Sequence, residues 1–348
     1  MKEKSLVAIV LLNYNGKKWL SRFLPKLTSH SDPHSIVLAD NASTDDSVEY
    51  VRGFYPNIQI IQNKTNAGFA QGYNEALAHL EGKFDYYLLI NTDIEVTENW
   101  VEPLLTVLEK DPTYAGVQPK IRSFYQRDSF EHAGASGGFV DRSFYPFCRG
   151  RLMHITEKDE GQYNNQKEIF WATGACMLVR SSVFHELEGF DCDFFAHMEE
   201  IDFCWRAKKR GYRFCVEPKS MVYHVGGGTL SYVNPQKTYL NFRNNLFMIH
   251  KNYDGILFLM IFKRLVLDGV AGVKFLVGMS PKNTLAVIKA HFSYYAALSE
   301  LNKKRKTIQR STVNKGKLTG MFTGCIIWAF YFKRIRKFSK LNVRLFVK

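Results

Sequence analysis

The sequence predicts an α/β fold built on a mostly parallel sheet with helices on both faces. Short apolar runs alternate with amphipathic stretches of about 10–15 residues from the N terminus onward, the pattern of parallel strands joined by crossover helices. Leu6–Leu12 and Tyr86–Ile90 are apolar throughout, as buried strands are. An amide or a carboxylate follows one run after another, at Asn13, Asp40, Asn66 and Asp93.

Taken in order, Leu6–Leu12 follows two lysines, but Glu3 precedes it and Asn13-Tyr14-Asn15-Gly16 follows in place of a cleavage site. It reads as a first buried strand rather than a signal peptide. Trp19, Leu20, Phe23, Leu24 and Leu27 then repeat at helical spacing. Ile36–Ala39 is a second strand ending at Asp40-Asn41, and Ser43-Thr44-Asp45-Asp46 resembles a capping box opening a helix through Val48 and Val51. Ile58–Ile61 is the third strand, followed by the loop Asn66-Ala67-Gly68-Phe69 and a helix over Ala70–Leu80. Tyr86–Ile90 is the fourth strand, and a helix (Trp100–Leu108) and a strand (Ala115–Ile121) complete this half. Ser123–Lys167 loses its period and is rich in aromatics and glycine, so hairpins and a mobile loop lining a cleft are expected there. Ile169–Val179 re-enters the core. A helix then starts near Glu199, with Ile201, Cys204 and Trp205 facing inward and Gly211 closing it. Ser220–Tyr223 is a short strand, and Tyr239–Asn245 lies on a helix.

In such sheets ligands bind just outside the carboxyl ends of the strands. Any single Asn or Asp there more commonly caps a turn, but the succession is harder to assign to capping alone. Asn91-Thr92-Asp93-Ile94-Glu95 presents an amide and two carboxylates at alternate positions, which suits a divalent cation, Mg or Mn, that bridges phosphate oxygens. Asp40 can accept a hydrogen bond from the imide N–H that uracil and thymine offer and cytosine lacks. Gly68 and Gly72, with Asn74 beyond, would let backbone approach a ribose or base, although they do not form a G-x-G-x-x-G fingerprint. Glu199, Glu200 and Asp202 open a helix, where acids favourably meet the dipole. Alternatively Glu200 is a general base whose pKa a neighbouring acid raises. His224, before Val225 and Gly226–Gly228, is either structural or offers its imidazole to a metal while backbone N–H groups face phosphate. Arg243 either meets a diphosphate or anchors its helix.

The formal charge is +14. Residues 251–348 hold 20 Lys+Arg against Asp254, Asp268 and Glu300, which is +17 and leaves −3 for residues 1–250. Six cysteines without C-x-x-C spacing indicate neither a zinc ribbon nor a disulfide framework and fit a reducing compartment. Gly255–Phe262 and Leu318–Phe332 are apolar but too short or too interrupted by charge for a span of about 20 residues. Basic residues beside Trp and Phe on amphipathic helices predict an interfacial anchor on an anionic inner leaflet, the alternative being a helical extension packed on the core.

The ordered motifs Val7–Gly16, Asp40–Asp45, Asn66–Phe69, Asn91-Thr92-Asp93, Thr173-Gly174-Ala175, Glu199–Asp202 and His224 resemble the family 2 inverting glycosyltransferases of the GT-A fold, particularly the bacterial rhamnosyltransferase-like branch. Asn91 stands where many relatives carry the first acid of an Asp-x-Asp motif, and Glu200 where Asp is commoner. The resemblance covers about residues 5–250, so a catalytic domain is expected over 1–250, and the residues outside it are expected to form a basic helical extension over 251–348. Within the first, the resemblance implies that Asp40 reads the base, and the residue pattern adds Asn13, Asn66, Gly68, Asn74, Asn91 and Arg243 as candidates around the donor. The resemblance also implies that Asp93 binds the metal with His224 assisting and that Glu200, beside Glu199 and Asp202, is the catalytic base, while Glu95 is a metal candidate from its spacing. The implied donor is dTDP-rhamnose or a UDP-sugar, and the acceptor a saccharide, expected to be polyprenyl-linked. The expected setting is cytoplasmic, peripheral on the inner face of the membrane. A processive synthase lacks support because there is no Gln-x-x-Arg-Trp motif and no set of membrane spans. A nucleotidyltransferase would need a Gly-rich basic loop near its first strand. A nucleic-acid-binding protein would leave the acidic centres unexplained, so no nucleic acid partner is expected.

Overall fold

The structure is a computed structural model and describes residues 6–226, 234–316 and 318–347. In chain order the first elements are β1 (Val7–Asn13), α1 (Lys17–Ser29), β2 (Ser35–Asp40), α2 (Ser47–Phe54), β3 (Gln59–Gln62), α3 (Gly68–Ala78) and β4 (Tyr86–Asn91). β5 (Ile94–Val96), α4 (Glu102–Lys110) and β6 (Tyr114–Ser123) follow. A small sheet begins with β7 (Gly138–Asp141), β8 (Pro146–Cys148), β9 (Arg151–Leu152) and β10 (Ile155–Thr156). β11 (Lys167–Ile169), β12 (Cys176–Arg180), α5 (Ser181–Glu186), α6 (Glu199–Lys209) and β13 (Arg213–His224) return to the main sheet. The remainder is α7 (Pro235–Asn252), α8 (Leu257–Val277), α9 (Pro281–Ala296), α10 (Leu298–Arg310), β14 (Met321–Phe322) and α11 (Ile326–Tyr331).

The main sheet has the order β11-β13-β6-β12-β4-β1-β2-β3, with β5 paired to β13 off that path. Six of the eight strands on the path run one way, and only β11 and β12 are reversed. The expectation of a mostly parallel sheet is met. β1 shows why its run is apolar throughout: alternate residues point to opposite faces. Ala8 and Val10 join one core with Tyr73, Ala76 and Leu77 of α3, whereas Val7, Ile9 and Leu11 join another with Leu20, Leu24 and Leu27 of α1.

Several boundaries differ from expectation. The Ser43–Asp46 turn is not a capping box: α2 starts at Ser47, whose N–H donates to Asp45 Oδ1 (3.2 Å), while Ser43 Oγ accepts from the Asn15 N–H (2.9 Å). Ser220–Tyr223 is the last part of the much longer β13. Residues 123–167 contain the expected hairpins, but these form a five-stranded sheet, β10-β9-β8-β7-β14, in place of an irregular cleft loop. The physical reason is an aromatic cluster: Phe139 and Phe147 pack with Phe338 and Phe346, which the chain supplies about two hundred residues later. One hydrophobic core therefore continues across the boundary expected at residue 250, from Ala8 to Leu341. All six cysteines are free. No helix among the described residues is long and apolar enough to cross a membrane.

Candidate active site

The carboxyl ends of β2, β1 and β4 lie side by side, with Asn13 level with Asp40 and Leu12 level with Asn91. Because β12 runs in reverse, Thr173-Gly174-Ala175 before it reaches the same edge, and the Asn91 N–H donates to the Ala175 carbonyl (3.0 Å). Asp40 is buried; its Oδ1 accepts from Asn13 Nδ2 (2.9 Å) and its Oδ2 from the Ser43 N–H (3.0 Å). Each carboxylate oxygen can take a second donor, so Asp40 keeps acceptor capacity for an imide N–H. Asn13 also lies 2.8 Å from Ser47 Oγ, and its own Oδ1 is buried without a partner.

Other candidates on this side serve the scaffold. Asn66 Oδ1 accepts from the Gly68 N–H (3.1 Å) and from Asn41 Nδ2 (2.9 Å), fixing the turn before α3. Gly68, at φ +89°, admits the Phe195 carbonyl, which a Cβ would meet at 2.5 Å and which accepts from the Phe69 N–H (2.6 Å). The close approach that requires glycine is thus to Phe195. Asn74 is not placed as a ribose or base contact, since its amide pairs at both ends with the Phe190 backbone (2.7 and 2.9 Å).

At the end of β4, Asp93 Oδ1 stands 3.1 Å from His224 Nε2, because β5 pairs with the last residues of β13. Two donors held by one cation occupy neighbouring vertices at about this separation, so the pair fits a divalent ion with open positions. Glu131 Oε2 lies 3.2 Å from His224 Nδ1, an ion-pair contact on the far side of the ring, and accepts from the Ala133 N–H. A carboxylate behind a ligating histidine orients it. Burial pulls the imidazole pKa down, but the Asp93 and Glu131 charges outweigh it and lift it to about 10, so a cation taken at Nε2 would displace the proton held there. Among the described residues no cluster of three or more acidic, His or Cys side chains forms a ready cation cage. Glu95 does not join the pair: Lys26 (2.7 Å) and Arg127 (2.7 Å) hold its two oxygens. Of the glycines expected to face phosphate, Gly227 and Gly228 lie outside the described residues.

The acids of α6 diverge. Asp202 is fully buried and partnered by Arg206 Nε (2.8 Å), Asn252 Nδ2 (2.7 Å) and Lys251 Nζ (2.9 Å), which makes it an anchor between α6 and α7, not a catalytic group. Glu199 is buried with Oε2 unpartnered, and burial, then the Glu200 charge, pushes its carboxyl well up. Glu200 is half-buried with its Cβ beside Gly174, and burial pushes its pKa to about 7 against the lowering effect of N–H groups in the first turn of α6. Phe195, His197 and Met198, the approach to this turn, all have φ between 63° and 73°. Helix α7 holds them there. Asn244 Nδ2 reaches the carbonyls of Phe194, Ala196 and His197 (2.7–2.9 Å), and Arg243 donates to those of Asp193 (2.7 Å) and Phe194 (3.1 Å). Arg243 thus ties its helix to the Asp193–Phe194 backbone, through carbonyls and not through an ion pair. Glu131 and Asn244 had no local signal, since each acts on residues far along the chain.

A family model for Glycosyl transferase family 2 matches residues 8–188. An N-acetylglucosaminyl-diphospho-decaprenol L-rhamnosyltransferase of Mycobacterium tuberculosis is 26% identical over 234 residues, 63% of this chain and 76% of the relative. The rhamnosyltransferase WbbL of Escherichia coli is 25% identical over 230 residues, 63% of this chain and 83% of the relative. Two solved structures share the fold at 15% identity. The mannosyltransferase PcManGT from Pyrobaculum calidifontis, in complex with GDP-Man and Mn2+, has a TM-score of 0.52 and covers 84% of this chain and 88% of its own. GalNAc-T7 with UDP, GalNAc and Mn2+ has a TM-score of 0.61 over 95% of this chain, which spans only 57% of that protein. On its motifs, its sheet and these matches, the chain belongs to glycosyl transferase family 2 and resembles the rhamnosyltransferases within it.

Proposed function

We propose that this glycosyltransferase inverts the donor's anomeric carbon. It moves one sugar from dTDP-rhamnose or a UDP-sugar to a hydroxyl of a polyprenyl-linked saccharide, in cell-surface polysaccharide assembly at the inner face of the membrane. The observation that carries the reading is the half-buried Glu200 with a pKa near 7, beside Gly174 on the sheet edge that also bears Asp40 and Asp93. A base poised near neutrality is what deprotonation of a hydroxyl requires. The ends of β2 and β4, which carry Asp40 and lead into Asp93, lie two strand spacings apart, about 10 Å, comparable with the reach from a base edge to the second phosphate. Asp40 accepts from the pyrimidine imide. Asp93 and His224, oriented by Glu131, would hold Mg or Mn, which when bound supplies positive charge for the leaving diphosphate. Glu200 takes the acceptor proton while the hydroxyl oxygen bonds to the anomeric carbon from the side opposite the departing phosphate oxygen. One displacement inverts that carbon, so no enzyme nucleophile is needed. The Mycobacterium tuberculosis relative, named for a decaprenol-linked acceptor, supports the lipid-linked substrate. In this reading residues 1–250 carry the chemistry and 251–348 form the basic helical part.

The test is product analysis by NMR after incubation with dTDP-rhamnose or UDP-sugars and an N-acetylglucosaminyl-diphospho-lipid. A glycoside of anomeric configuration opposite to the donor's is expected. A product that retains the configuration would overturn the single displacement, and pyrophosphate release from a sugar phosphate and a nucleoside triphosphate would overturn the transferase assignment.

A further inference from the structure

Helix α8 is turned inside out relative to an ordinary surface helix. Its inward face carries the buried ion pair of Arg264 and Asp268 (3.0 Å) beside Ile261 and Gly272. Its outward face carries Leu259, Phe262, Val266, Val270, Val273 and Val277, all exposed, with Val277 at 79%. At ~100° per residue these six fall within an arc of about 80°, opposite the buried set. Helix α9 packs against α8 at Gly272, whose carbonyl accepts from Thr284 Oγ1 (2.9 Å). It repeats the arrangement, with Leu285, Ile288, Phe292 and Tyr295 exposed over buried Ala286, Val287 and Ala290. Near the C-terminal end of α8, Lys274 donates to the Tyr331 hydroxyl of α11, beside Trp328 and Phe332, which are stacked at 4.2 Å and both exposed.

Charge decides what covers this face. Over residues 257–296 the only acid is Asp268, and it is buried, whereas Lys274, Lys282 and Lys289 are exposed around the apolar stripe. Pairing with a second copy would bring lysines together with no carboxylate to meet them, while a bilayer of anionic lipid neutralises them and takes the apolar side chains below the headgroups. Lys263, Arg264, Asp268 and Lys274 exclude α8 as a span, so it lies along the surface. We propose that the joint outer face of α8 and α9 is an interfacial docking surface for an anionic lipid bilayer. It narrows the anchor expected within residues 251–348 to these helices and leaves out the last segment, whose phenylalanines 338 and 346 are packed into the small sheet. The face also bears on catalysis by position. Helix α9 supports α7 through Thr238–Asn283 (2.8 Å) and Tyr239–Ser293 (3.0 Å), and α7 holds the turn before Glu200. The inference deepens the membrane part of the proposed function and rests on that reading only for the lipid-linked acceptor.

The test is co-flotation of the full chain with phosphatidylglycerol-containing or pure phosphatidylcholine vesicles, without nucleotide, so that it is independent of transfer activity. Binding to the anionic vesicles, weakened by salt, is expected. The double variant Phe262→Glu with Val266→Glu should lower the bound fraction at least about tenfold, and Lys282→Gln with Lys289→Gln should lose most of the preference for anionic lipid. Both pairs are exposed, and an unchanged melting temperature and an unchanged donor-induced thermal shift check that fold and active site persist. Absence of co-flotation, wild-type flotation by the Glu variant, or a dimer in sizing experiments that the Glu variant disperses would each overturn the proposal.

Discussion

Replacing Glu200 by Gln should have opposite effects on activity and on stability. The carboxyl rises from an ordinary 4.5 to about 7 because burial disfavours its charge. In the unfolded chain it releases its proton near its ordinary value, so between about pH 4.5 and 7 the native state binds more protons than the unfolded one. Its stabilising contribution is present below that window and is lost as pH rises through 7. From 4.5 to about 7, at 1.36 kcal/mol per pKa unit, the loss amounts to at most about 3 kcal/mol at pH 8. Glu200→Gln removes that cost and also removes a like charge from buried Glu199. The variant should therefore melt several degrees higher than wild type at pH 8, with the difference closing towards pH 5. Activity should fall by about 10²–10⁴-fold, the usual contribution of a positioned base. In wild type kcat/KM should climb with an apparent pKa near 7, with about a tenth of the plateau remaining one pH unit below it. Melting curves and initial rates from pH 5 to 8.5 measure both. A Glu200→Gln enzyme within tenfold of wild type, or one that melts lower at pH 8, would refute the reasoning.

Three further outcomes follow from the side-chain environments. Asp93→Asn should abolish the cation-dependent part of donor binding in calorimetry, whereas Glu95→Gln, which loosens only the clamp with Lys26 and Arg127, should keep it and cost about 0.2–1 kcal/mol of stability in urea melts. Asn244→Ala removes the buried donor to the carbonyls of Ala196 and His197, while that of Phe194 keeps Arg243, so it should destabilise by about 1–3 kcal/mol and lower kcat more than it raises the donor KM. Asp40→Ala should weaken uridine and thymidine diphosphates alike in competition assays, because the imide contact is common to both.

The parallel half of the sheet was legible because each strand carries its signal locally: Val7–Asn13 and Tyr86–Asn91 match the apolar runs almost residue for residue. The positions of Asp40, Asp93 and His224 at the carboxyl ends of strands were legible for the same reason, since each follows or closes an apolar run. Glu95, Asn74, Arg243 and Asp202 looked equivalent in sequence but differ in space. Each has partners brought in by tertiary packing, such as Arg127 for Glu95, Phe190 for Asn74 and Asn252 for Asp202. The small sheet was illegible because strands of two to four residues have no period to read, and β14 joins β7 from nearly two hundred residues downstream. Glu131 was missed because it reaches His224 from an irregular segment that two backbone hydrogen bonds tie to Ile121.

In the proposed reading the edge bearing Asp40, Asp93, His224 and Glu200 binds a pyrimidine nucleoside diphosphate sugar together with a divalent cation. The most direct test is a thermal-shift panel of UDP-, dTDP- and GDP-sugars, each with Mn, Mg or chelator, since a ligand that binds only the folded state raises its melting temperature. The account predicts a rise with a uridine or thymidine donor that chelator removes and that GDP-sugars do not match. An equal rise in chelator, or a rise with GDP-sugars alone, would contradict it.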